Sequence, residues 1–227
     1  MAQVAELGAV PEVIARLRVL AAGRDGVAQF ARLYLAVTEG VNARLQGVVF
    51  SQPAFVARLD VVFAGLFFDA LAAYERDPAT APRAWVPLFE ARARRRIDPI
   101  RFAVAGMNAH INRDLPVAVV ATCAELGVEP GPERGDFERI NPILAQVEPH
   151  AKALLLKGWL RVLDRILHRL HRVDDVAAIW NVVRAREAAW ANAQTLWALR
   201  GEDEVAGTFL LALDRSVGLA SRALLRL

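Results

Sequence analysis

Gly106-Met107-Asn108-Ala109-His110-Ile111-Asn112-Arg113-Asp114-Leu115-Pro116 sets five polar or charged side chains inside what otherwise reads as the most apolar helix of the chain. A buried polar group without a partner costs roughly 1–3 kcal/mol, and a charge more. The segment therefore either satisfies itself internally or is held ready for a ligand, and the helix that carries it belongs at the centre of the fold. At helical spacing His110 lies over Asp114 with Gly106 one turn earlier, while Asn108 and Asn112 form a second polar stripe beside Arg101. Pro116 removes the bond to the Asn112 carbonyl and disfavours α geometry at Leu115, which predicts a kink beside Asp114.

Outward from this helix, which opens near Pro99, strand signals are nearly absent. Ala, Leu, Arg and Val recur at helical spacing between Gly, Pro and Asp punctuation. The class is all-α: a single compact bundle of about eight helices spanning residues 1–227, with the motif helix buried at its centre. Pro11 marks a helix start. Asp25 caps a helix to about Gln46, whose Phe30, Leu33, Tyr34, Val37, Val41 and Leu45 face reads as ordinary core. A further helix spans Pro53 to about Arg76, and a short one carries Trp85 and Phe89. Gly127 to Gly135 reads as the clearest loop, followed by a long helix opened by Asn141-Pro142 and bent at Pro149. Asp174 and Asp175 start a helix that ends at Gly201, and the last helix begins near Glu202.

Composition narrows the class. With 227 residues, 55% of them hydrophobic, the chain has ample material for one core. The single Cys123 excludes an intramolecular disulfide, and the start lacks a basic segment followed by a long apolar one, so a cytoplasmic protein is expected. The apolar run Val61 to Phe68, closed by Asp60 and Asp69, falls far short of the roughly 20 residues of a membrane span. Net charge is only +3, and the Arg92, Arg94, Arg95 and Arg96 run has no aromatic residues interleaved, so no nucleic-acid partner is expected.

Two more helices carry polarity on apolar stripes. Asp60 shares a face with Phe63, Ala64, Phe67, Leu71 and Tyr74, where a carboxylate must pair, protonate or bind something; Asp69 points the opposite way. Arg186 lies amid Val182, Ala189, Trp190, Ala193 and Trp197 and calls for a carboxylate, for which Asp60 or Asp114 is suited. Asp164, His168 and His171 share a stripe with Lys157 and Arg161 that reads as a solvated surface, and His150 has no assignable role. No P-loop, dinucleotide-binding, nucleophile-elbow or Cys–His metal spacing is present.

The run Ala105 to Pro116 resembles the signature of the bacterial family catalogued as domain of unknown function 5995. Leu59-Asp60-Val61 with Phe63-Ala64, Trp85 with Pro87-Leu88-Phe89, and Arg184-Ala185-Arg186 with Ala189-Trp190 and Leu196-Trp197 resemble it too. The resemblance implies a single helical domain in which Asn108, His110, Asn112 and Pro116 matter, and no established reaction. A weaker similarity runs to the helical zinc-dependent phospholipase C and single-strand nuclease group through His110 and Asp114, with Asp60 as a further ligand. Such trinuclear sites take more histidines than the four of this chain and an N-terminal Trp, where this chain has Met1.

The expected function is a small-molecule enzyme of the lyase, cyclase or isomerase kind, its pocket lined by Asp60, Asn108, His110, Asn112, Asp114 and Arg186 with Trp85 or Trp190 as apolar wall. His110 acts as the acid–base group, Asp114 orients it, Arg186 holds an anionic or carbonyl oxygen and the Asn amides fix substrate polarity. Two alternatives stand beside it: a metal-assisted hydrolase in which His110, Asp114 and Asp60 bind a divalent ion, and a non-catalytic binding or scaffold protein in which the polar residues form a structural network. Substrate and oligomeric state are not legible.

Overall fold

Asp25 takes an extended conformation and its carboxylate accepts a hydrogen bond from the Ala28 N–H, which starts one of the long helices where local cap chemistry dictates. The structure, a computed structural model, describes residues 2–146 and 182–226. Among these residues there are nine α-helices and no strand: α1 (Ala2–Ala21), α2 (Gly26–Leu45), α3 (Pro53–Arg76), α4 (Val86–Ala91), α5 (Pro99–Ala109), α6 (Leu115–Leu126), α7 (Pro130–Gln146), α8 (Val182–Ala198) and α9 (Asp203–Arg226). A short 3₁₀ turn, Pro78–Thr80, follows α3. Because α5 and α6 run end to end through a π turn at His110–Asp114, the nine segments make eight rods. Among the described residues no helix is long and apolar enough to cross a membrane.

The kink expected at Pro116 takes the form of that π turn. The Leu115 N–H reaches back to the His110 carbonyl, a five-residue step, and Pro116 enters α6 in its first turn, where its missing N–H costs little. The polar motif therefore occupies the widened turn of a buried, broken helix. This α5–π–α6 rod packs against α2, α3, α8 and α9.

Two helix boundaries depart from the sequence reading. Pro11 lies inside α1 rather than at its start, because the Ala- and Glu-bearing turns before it propagate the helix through the proline at the loss of one backbone bond. The loop expected over Gly127 to Gly135 is shorter: Gly127 ends α6 in the left-handed conformation (φ 66°) and α7 already starts at Pro130, running through Pro142. Pro130 and Pro132 sit in the first turn, and α7 is anchored by Asp136, which accepts the backbone N–H groups of Ser51 and Gln52, and by the buried Phe137, Ile140 and Ile143. The Pro149 bend and the Asp174–Asp175 start lie outside the described residues.

The core falls into two apolar clusters. One is aromatic, built on Phe30, Phe67, Trp85 and Phe89; the other is built on Phe55, Leu59, Leu115, Val119 and Trp190. Gly106 sets how closely α5 approaches α2, since a Cβ there would lie 2.4 Å from the Phe30 ring. Gly65 in α3 has nothing within 4 Å of the same position. Gly106→Ala should therefore lower the unfolding free energy by about 1–3 kcal/mol through overpacking, and Gly65→Ala should raise it by about 0.5–1 kcal/mol through helix propensity. Urea unfolding of the two variants beside the wild type reads both signs.

Candidate functional site

Asp114 is fully buried, and three donors converge on it. The indole Nε1 of Trp85 donates to Oδ2 at 2.9 Å, the Nδ1–H of His110 donates to the same oxygen at 3.1 Å, and Arg113 donates to Oδ1 at 2.9 Å. Trp85 is brought there by the chain just before α4. Asp214 of α9 accepts the N–H groups of Arg83 and Ala84 at 2.8 and 3.0 Å and lies 3.7 Å from Arg113. Gly218, one turn further along α9, allows this approach, since a Cβ there would lie 2.5 Å from the Arg83 carbonyl.

The bond to Asp114 fixes the His110 tautomer: with the proton on Nδ1, Nε2 carries a lone pair, and that atom is buried with no partner among the described residues. The imidazole is boxed by aromatic rings. Phe63 stacks on it with ring centres 3.5 Å apart and planes 6° apart, and Tyr34 meets it edge-on at 4.5 Å. Burial pushes the His110 pKa below its ordinary value even though Asp114 pulls it the other way. A neutral imidazole with a bare Nε2 results.

His110 borders a cavity of about 140 Å³ whose walls come from α2, α3, α5, the π turn, α6, α7 and α8, drawing on both apolar clusters. Most of the lining is aliphatic or aromatic, with Leu33, Val37, Val41, Val56, Met107 and Leu144 among it. Tyr34, Asp60, His110 and Arg186 supply polar atoms. Asp60 is only 9% exposed, its Oδ2 has no hydrogen-bond partner among the described residues, and burial raises its pKa to about 7. The Tyr34 phenol is pushed well above its ordinary range, first by burial and then by the neighbouring Asp60. Arg186, 5% exposed, donates to the Asn141 Oδ1 at 2.8 Å and the Phe137 carbonyl at 2.6 Å, with its guanidinium 4.1 Å above the Phe137 ring. Burial lowers its pKa to about 9.

The sequence-derived set thus divides. Asp60, His110 and Arg186 share one cavity, with Asp114 directly behind His110. Arg186 does not pair with Asp60 or Asp114; its partners are an amide and a carbonyl of α7, which the helical spacing of α8 alone does not report. Asn108 and Asn112 face α9 instead of the cavity. Asn108 donates to the Val217 carbonyl and Ser221 Oγ, both at 3.0 Å, and accepts from Asn112 at 3.0 Å, a satisfied chain that docks α9 on α5. Trp85 is a donor behind Asp114 and does not line the cavity. Trp190 borders a second cavity of about 230 Å³ that shares Arg186. Tyr34 and Phe63, which read as plain core on their helical stripes, are cavity wall; periodicity reports burial and not what lies beyond the ring. His150, His168 and His171 lie outside the described residues.

The donor chemistry does not fit a metal centre built on His110, Asp114 and Asp60. Both oxygens of Asp114 and Nδ1 of His110 are engaged in hydrogen bonds, which leaves Nε2 and the Asp60 carboxyl. Among the described residues no group of three or more His, Cys, Asp or Glu side chains is placed to hold an ion.

Comparison with known proteins gives one match: the model of a family of unknown function (DUF5995) covers residues 10–227. No curated protein and no solved structure matches the chain.

The raised Asp60 pKa makes a stability prediction of definite sign. In the folded protein Asp60 holds its proton up to about pH 7, whereas in the unfolded chain it ionises near 3.8. Its penalty is absent below the unfolded value, grows as pH rises between the two and is complete above the folded one. Wild-type stability relative to Asp60→Asn should accordingly fall by a few kcal/mol from about pH 4 to pH 7. Urea unfolding across that range checks it, and parallel curves for the two proteins would show that Asp60 has an ionic partner.

Proposed function

The chain belongs to DUF5995, whose description assigns no reaction, and we propose from the site itself that it is an enzyme moving a proton on a small, largely apolar molecule. The observation that carries this reading is that one apolar cavity is lined by both His110, whose Nε2 is bare, and Asp60, whose Oδ2 has no partner among the described residues. Groups whose environments keep one neutral as a base and the other protonated as an acid at neutral pH are the usual acid–base pair of such chemistry.

His110 Nε2 takes a proton from the ligand while the Asp114 carboxylate stabilises the imidazolium through Nδ1–H. Asp60 gives its proton to a second ligand atom. The products together, counting any water released, carry the same number of protons as the substrate, and return of the proton from His110 to Asp60 through water resets the site. Isomerisation and elimination of water both satisfy this balance. The aromatic box fixes the imidazole plane, so little is spent on orienting the base.

The network formed by Asn108, Asn112 and Ser221 supports a structural role for that half of the motif, since each amide there is spent on protein atoms. Asp60 and His110 are not spent in that way. Deuterium uptake from D₂O into a panel of small branched and aromatic ketones and 2-oxo acids, followed by NMR, tests the proposal. Exchange should be catalysed by the wild type, fall as pH rises through about 7 with loss of the Asp60 proton, and drop by roughly 10²–10⁴ in His110→Gln. Equal exchange in wild type and a folded His110→Gln would refute it.

A further inference from the structure

We infer that the cavity takes a small apolar monocarboxylate, its carboxylate paired with Arg186 and its hydrocarbon body seated against the aliphatic and aromatic wall; this rests on the ligand site proposed above. Arg186 lines the cavity and is almost fully buried, yet among the described residues its hydrogen bonds go only to neutral acceptors, the Asn141 amide oxygen and the Phe137 carbonyl. Two partly buried arginines, by contrast, have anionic partners: Arg92 has Asp25 at 2.5 Å and Glu75 at 3.2 Å, and Arg113 has Asp114 and Asp214. A buried guanidinium without a counter-charge is costly, and its lowered pKa of about 9 still leaves it charged at neutral pH.

Asp60, the acid that shares the cavity, makes no ion pair with Arg186 and keeps its own oxygen bare. A protonated Asp60, the Tyr34 phenol and a charged Arg186 together leave the site one positive charge and two hydrogen-bond donors, which a single carboxylate can meet because each of its two oxygens accepts more than one hydrogen bond. The rest of the wall limits the ligand's body. Val37, Val41, Val56 and Leu144 offer no partner for a sugar or a second charge, and about 140 Å³ is close to the engineered cavity of about 150 Å³ that admits benzene. A ring or branched chain of about six carbons fills such a space.

The test uses benzoate and 3-methylbutanoate against their neutral isosteres, benzamide and 3-methylbutanamide, with inorganic phosphate as a purely ionic control. Binding to the full chain is followed by calorimetry and by NMR shifts of the Met107 methyl and the His110 ring. Both acids should bind the wild type at least about tenfold tighter than their amides, and phosphate should not displace them. In Arg186→Met that preference should vanish while amide binding persists, which also reports that the variant is folded; Arg186→Lys should retain part of it. Amides that bind the wild type as tightly as the acids would overturn the carboxylate assignment and leave the ligand site standing. If no organic probe perturbs Met107 or His110, both readings fall.

Discussion

The Asp114 carboxylate is the constraint on which the rest of this structure depends. It is buried at the end of a π turn, and it holds its place because Trp85, His110 and Arg113 each give it a hydrogen bond. Each donor is in turn a structural commitment. Trp85 stands where Asp214 pins the chain before α4, Arg113 links back to Asp214 on α9, and His110 is one of the residues that line the cavity. A buried carboxylate stripped of such donors would be among the costliest defects a core can contain, so the elements that supply them are tied together through one side chain.

Around this anchor the buried polar groups separate by whether their bonds are complete. The Asn108, Asn112 and Ser221 chain is complete, and its product is the docking of α9. The second set is incomplete among the described residues: Nε2 of His110, Oδ2 of Asp60 and the Tyr34 hydroxyl have no partner, and Arg186 has no anion. On the proposed reading, the stability lost by leaving those atoms bare is the expected cost of a preorganised site.

Much of the fold was legible because its signals are local. Asp25 as a cap and Pro53 in a first turn place α2 and α3, and Pro116 announces the break that becomes the π turn. The α7 region was not legible, because Pro130, Gly131, Pro132 and Gly135 together resemble a loop, and only contacts distant in sequence, Asp136 to Ser51 and Gln52 above all, make the helix worth forming. The partners of Arg186, Asn141 and Phe137, lie about 45 residues away in sequence, and no local pattern reports them. For the site, helical spacing alone gave the His110–Asp114 pair, and a carboxylate on an apolar stripe gave Asp60. The position of Trp85 behind Asp114 depends on Asp214, 130 residues beyond Ala84, and no local pattern encodes it. Nor does a stripe of Phe30, Tyr34 and Val37 distinguish a core from the wall of a cavity.

The central claim is that one buried carboxylate holds the fold together while the other is held for a ligand. Urea unfolding at pH 8 of Asp60→Leu and Asp114→Leu, measured side by side with the wild type, tests it most directly. The account predicts opposite signs: Asp60→Leu becomes more stable because an unpaired buried charge is removed, and Asp114→Leu loses about 3–5 kcal/mol because its three donors are orphaned. A comparable loss of stability in both variants would mean that Asp60 is also part of the scaffold, and would contradict the division on which the functional reading stands.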